Sequence, residues 1–125
     1  MILDEETFGW LPGFWQSTAS TIPDYISGRE WLCFKSDGKH LWIIQRGADS
    51  LKPRKISFTF EQHEKQVLFC VCSEGSERSQ LRWEIRINAK NADEIEIIPQ
   101  HGHRTLFRRI YPETEEWALL RKIAL

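Results

Sequence analysis

Hydrophobic residues recur at every second position along much of this chain, the spacing that puts side chains on one face of a β-strand. The clearest run is Leu81, Trp83, Ile85 and Ile87, interleaved with Arg82, Glu84 and Arg86. Ile56, Phe58 and Phe60 alternate in the same way with Ser57, Thr59 and Glu61. Each run predicts a half-buried strand with a defined inner face. Other segments are apolar on both sides. Glu30 to Lys35 and Lys39 to Arg46 flank Asp37-Gly38, a strong hairpin signal. Its register sets Phe34 opposite Leu41 and Leu32 opposite Ile43 on one face, with Cys33 opposite Trp42 and Trp31 opposite Ile44 on the other. Val67 to Cys72 has Val67, Phe69 and Val71 on one face, read as inward, and Leu68, Cys70 and Cys72 on the other.

The chain enters this series at Gly13, and from there to Ile22 alternation groups Trp15 with Ser17, Ala19 and Thr21. Small residues on the tryptophan face predict room inside the sheet. Glu94 to Ile98 and His103 to Tyr111 complete about eight strands. Two terminal segments break the period of two. Phe8, Trp10 and Leu11 suit a short plug at one end of the sheet. After Pro112, the spacing of Trp117, Leu120 and Ala124 predicts a helix over 113–125. Its acidic residues Glu113, Glu115 and Glu116 come first and its basic pair Arg121 and Lys122 last, as the helix dipole favours. The fold class is therefore all-β: one domain over 1–125, an antiparallel up-and-down β-barrel with an amino-terminal plug and a carboxyl-terminal helix that covers outward apolar residues.

Composition narrows the partners. Lys and Arg together number 17 against 18 Asp and Glu, so no net field draws nucleic acid or an anionic membrane. No stretch approaches the roughly 18 apolar residues of a spanning helix, and the amino terminus lacks the pattern of a secretory signal. Cys33, Cys70 and Cys72 are odd in number, and the last two are too close along one strand for an ordinary bridge. Reduced thiols and a cytoplasmic location are expected.

Catalytic chemistry finds little support. There is no G-x-S-x-G elbow, no phosphate-cradling loop and no dinucleotide fingerprint. His101-Gly102-His103 offers two imidazoles where a metal site wants three or four ligands, so neither metal nor cofactor is expected. Trp83 beside arginines could stack on a nucleic-acid base, but alternation turns Trp83 inward and its charged neighbours outward.

Three short motifs point to a family. Leu11-Pro12-Gly13-Phe14-Trp15, an L-x-G-x-W opening, resembles the signature of the lipocalin-like proteins, the calycin group of small barrels. Phe34-Lys35-Ser36-Asp37-Gly38 resembles the F-x-x-D-G hairpin of compact members, and Phe107-Arg108-Arg109 is similar to their late-strand aromatic and arginine. The resemblance implies binding of a small hydrophobic or amphipathic molecule without chemistry on it. It also implies that Gly13, Trp15 and an arginine of the last strand serve structure at the closed end, the guanidinium stacked on the indole; alternation with the inward Phe107 selects Arg109 for this role and leaves Arg108 in solvent.

Two functions fit these observations. In the first, the barrel interior holds the ligand against Ser17, Ala19, Phe34, Phe58, Phe60, Phe69, Trp83 and Ile85. In the second, the barrel is filled and an outward stripe of Trp31, Trp42, Ile44 and Leu68 binds a protein, either a second copy or the target of an inhibitor or immunity-type protein.

Overall fold

The computed structural model describes residues 10–37, 39–64, 66–76 and 78–124, with the backbone alone over 60–64. Eight strands follow in order: β1 (Gly13–Ser20), β2 (Glu30–Phe34), β3 (His40–Arg46), β4 (Leu51–Glu64), β5 (Val67–Glu74), β6 (Leu81–Asn91), β7 (Glu94–Pro99) and β8 (Thr105–Ile110). Each pairs antiparallel with the next, and β8 returns to β1, so the sheet is a closed up-and-down barrel. The helix α1 (Glu115–Ile123) comes after β8. Antiparallel order puts the start of β1 and the end of β8 at one end, here the closed end, and the connections 21–29, 47–50, 75–80 and 100–104 at the other.

The β2–β3 hairpin has the register read from its Asp-Gly signal, with Phe34 opposite Leu41 and Trp31 opposite Ile44. Asp37 holds the turn by accepting the backbone N–H groups of Lys39 and His40, at 2.8 and 3.1 Å. β4 and β6 are longer than the alternation alone predicts, and β4 begins before Pro53, which sits opposite Ile44 inside the ladder.

The interior packs Leu11, Trp15, Phe34, Ile56, Phe58, Ile87, Ile95 and Phe107 out of solvent. Leu11 and Trp10 supply the plug at the closed end; Phe8 lies outside the described residues. On β5 the expected inner face is corrected. Leu68, Cys70 and Cys72 point inward, and Val67, Phe69 and Val71 point out. With apolar residues on both sides, β5 takes its orientation from β6, whose apolar face is unambiguous: Cys72, Cys70 and Leu68 lie opposite Trp83, Ile85 and Ile87. Residues directly opposite in an antiparallel pair share a face.

A second correction concerns β1. A bulge between Ser17 and Ala19 shifts its register against β8, so Ser17 opposes Phe107 while Ala19 opposes the outward Leu106. One extra residue flips the remainder of the strand to the other face. Ala19 is therefore exposed on the outside, and Ser20, opposite Thr105, takes its place on the inner face.

A smaller core lies outside the barrel wall. Phe14, Trp31, Cys33, Ile44 and Ile110 are buried beneath Leu120 and Ala124 of α1 and its end. The helix starts one turn later than the position of Pro112 suggests. Thr114 is the N-cap, its Oγ1 accepting the Trp117 N–H at 3.1 Å. The Trp31 Nε1–H donates to Glu116 Oε1 at 2.6 Å, and Phe14 meets Trp117 edge to face at 6.2 Å. Burying each large side chain here contributes roughly 1.5–3 kcal/mol. The stripe that the second functional reading offers to a partner is thus occupied by the chain's own helix at Trp31 and Ile44, while Leu68 faces the interior.

Candidate functional site

At the closed end the chain builds a single braced assembly. Arg109 opposes Trp15 across β1 and β8, and its guanidinium carbon lies 4.2 Å from the centre of the Trp15 ring. Its Nη1 donates to the Pro12 carbonyl at 3.0 Å, its Nη2 to the Trp10 carbonyl and its Nε to the Ala92 carbonyl at 3.3 Å. The Trp15 Nε1–H donates to the Leu11 carbonyl at 2.9 Å. Gly13 has φ +128°, and a Cβ there would stand 3.0 Å from Arg109 Nη1. The glycine therefore serves both the backbone bend and the approach of the arginine. Burial holds the Arg109 pKa below its usual value, partly opposed by Asp93. Arg108, one residue away, is exposed.

The residues predicted to line a ligand space do not form one set. Phe34 and Phe58, 2% and 3% exposed, pack edge to face with ring centres 5.8 Å apart. Together with the buried Ile85 they belong to the packed core. The side chain of Phe60 lies outside the described residues. Phe69 and Ala19 are on the outer surface, the first through the pairing of β5 with β6 and the second through the bulge in β1.

Ser17 faces in but is taken up by the ladder. Its carbonyl accepts the Gly28 N–H at 2.7 Å and its Oγ accepts the Glu30 N–H at 3.1 Å, closing the gap where β1 and β2 part. The small residues of β1 are thus accounted for by strand pairing and the bulge. Tyr25, in the β1–β2 connection, turns its hydroxyl toward Ser17 without reaching hydrogen-bond geometry, and burial pushes its pKa up.

Trp83 is the predicted residue that remains at an opening. It is half-buried on the inner face at the open end, next to Leu81, which is 65% exposed although it shares that face. With Pro99, His101 and Arg54 they line a recess of about 360 Å³. Arg54 lies two residues from Ile56 and so points to the inner side of the rim, where it grips Glu74 with two bonds. Nε meets Oε2 at 3.0 Å and Nη2 meets Oε1 at 2.6 Å. This pair keeps the Glu74 pKa below its usual range and raises that of Arg54. The signal for an ion pair on the inner rim is the parity that Arg54 shares with Ile56 and Phe58 on β4, and Glu74 with Cys70 and Cys72 on β5. A reading that follows only the apolar members of the two strands passes over it.

The other candidate groups do not converge. His103 Nδ1 is 3.0 Å from Thr21 Oγ1, whereas His101 lines the recess. Cys70 and Cys72 are buried in the core and Cys33 lies under α1. Burial raises all three thiol pKa values, Cys33 to about 11 and Cys72 to about 12. Such thiols remain protonated at neutral pH and are poor nucleophiles or ligands. No family model, curated protein or solved structure matches the chain.

Proposed function

We propose that this protein is a lipocalin-like binding barrel that takes a small hydrophobic or amphipathic molecule at its open end and performs no chemistry on it. The observation that carries the reading is the uncovered inner face at the rim, where Trp83 and Leu81 stand beside a recess of about 360 Å³ while the opposite end is packed and braced. That volume lies within the range of about 300–1,000 Å³ typical of small-ligand sites, and a half-buried inward tryptophan supplies a flat apolar wall. The Arg54–Glu74 pair at the same rim supplies the polar contacts that orient an amphipathic guest. The closed-end assembly of Gly13, Trp15 and Arg109 supports the lipocalin-like assignment. Three buried thiols suit a reducing compartment, and we place the protein in the cytoplasm on that basis.

The test is calorimetric titration of the protein with fatty acids, retinoids and tetrapyrroles, compared with the Trp83→Ala variant. Saturable binding that weakens at least about tenfold in the variant is expected for the loss of an aromatic wall. Binding of none of these classes, or equal binding by the variant, would overturn the assignment.

A further inference from the structure

Helix α1 uses most of its side chains on its own barrel. Trp117, Leu120 and Ala124 pack on the wall beneath it, Glu116 accepts the Trp31 N–H, and Arg121 lies over the Trp117 ring at 5.2 Å. The side chains that remain share the opposite face. Glu115, Ala118, Leu119 and Lys122 follow the i, i+3, i+4, i+7 spacing of one helix face, and all four are exposed. Leu119 is 52% exposed although it is a large apolar residue at the middle of the helix.

The two charges on this face cannot pair within their own helix. Helical ion pairs form between residues three or four apart, and the positions three and four residues from Glu115 and Lys122, toward one another, are in both cases Ala118 and Leu119. Neither charge has an ion pair among the described residues. They stand seven residues apart, roughly 10 Å along the axis, with Leu119 between them. Beside Leu119 a groove of about 660 Å³ runs between α1 and the 47–50 connection. Leu51 and Leu120 contribute to its apolar part, while Asp49, Glu115 and Glu116 make its border acidic; its cation, Arg46, lies 5.0 Å over the Trp31 ring.

A face with a negative end, an apolar middle and a positive end is complementary to itself once inverted. A two-fold axis passing between Ala118 and Leu119 lays two copies of α1 antiparallel. The two Leu119 side chains then meet beside the grooves, and the two Ala118 residues let the backbones approach. The same axis sets Glu115 of each copy level with Lys122 of the other, so both charges gain the partner that one helix denies them. A parallel arrangement would instead oppose like charges. We propose that this protein forms a homodimer through the outer face of α1, the two helices antiparallel, with Leu119 at the centre and two Glu115–Lys122 ion pairs flanking it. The contact spans two helical turns and is small for a stable complex, so half-dissociation is expected at roughly 0.1–1 mM. This surface is separate from the recess at Trp83.

Sedimentation velocity of the whole protein at low ionic strength, from about 10 μM to about 1 mM, tests the proposal. The wild type should pass from monomer to dimer over that range. Leu119→Ser, Glu115→Lys and Lys122→Glu should each weaken the dimer at least about tenfold. An equal mixture of Glu115→Lys and Lys122→Glu should restore it, because both ion pairs re-form with their roles reversed, and the double variant Glu115→Lys/Lys122→Glu should dimerise as the wild type does. Circular dichroism unchanged by these exposed substitutions separates loss of pairing from loss of the helix. A wild type that stays monomeric at about 1 mM, a dimer that Leu119→Ser leaves intact, or a mixture no stronger than its components would overturn the proposal.

Discussion

Replacing Arg109 with alanine removes a cation stacked 4.2 Å above Trp15 and three hydrogen bonds that tie Trp10, Pro12 and Ala92 to the last strand. A partly buried cation–π contact contributes about 1 kcal/mol. Bonds from a charged donor contribute about 1.5 kcal/mol or more each, but the bond to Ala92 is exposed and the other two are only part-buried, so water replaces part of the loss. Desolvation of the guanidinium, which lowers its pKa, further offsets the gain. The net expectation is a loss of about 2–3 kcal/mol. In urea unfolding followed by circular dichroism, that corresponds to a midpoint about 1–2 M lower. Arg108→Ala, at an exposed position, should change stability by no more than about 0.5 kcal/mol. Arg109→Lys should recover less than half of the loss, because an ammonium cannot stack and fork at once. Equal, small losses for Arg108→Ala and Arg109→Ala would refute the brace and remove the main structural support for a lipocalin-like assignment.

Gly13→Ala should destabilise by about 1–3 kcal/mol, since φ +128° strains any Cβ and the new methyl meets Arg109; urea unfolding alongside the Arg109 series measures it. The thiols should resist Ellman's reagent at pH 8 in the folded protein and all react in denaturant; fast labelling of any one in the native state would contradict their burial. Their folded pKa values are raised, so the stability they lend is complete below the unfolded value of about 8.5 and is lost as pH rises toward the folded values of about 11 for Cys33 and about 12 for Cys72. Alkaline unfolding monitored by fluorescence should show that decline. Deleting 113–125 uncovers Trp31, Ile44 and Phe14, and light scattering should then report self-association; a monomeric, equally stable product would mean that α1 covers nothing essential.

The barrel is legible in the sequence because β4 and β6 carry patterns with one consistent reading, and because the Asp-Gly turn sets the register of the β2–β3 hairpin although both of its faces are apolar. Alternation misplaces Phe69 because β5 is apolar on both faces, so its orientation depends on pairing with β6, which lies outside any local window. It misplaces Ala19 because a bulge leaves no mark in a run of Ser, Thr and Ala that has no strong apolar period. Trp15 and Arg109, from opposite ends of the chain, are linked in the sequence by short motifs, with alternation favouring Arg109 over Arg108, and in the structure by the pairing of β1 with β8. At the rim Trp83 is legible and the ion pair is not: Arg54 and Glu74 obey the inward parity, but as charged residues they do not count among inward groups in an apolar pattern.

The most direct test of the binding-barrel account is the set of tryptophan indole N–H resonances during titration with an apolar ligand. The six tryptophans divide by environment: the Trp15 N–H is bonded to the Leu11 carbonyl in the core, the Trp31 N–H to Glu116 under α1, and Trp83 lies at the open recess. A ligand seated at the open end should shift the Trp83 indole N–H saturably while those of Trp15 and Trp31 stay in place. Shifts confined to Trp31 and Trp117, or a Trp83 resonance that does not move at saturation, would contradict it.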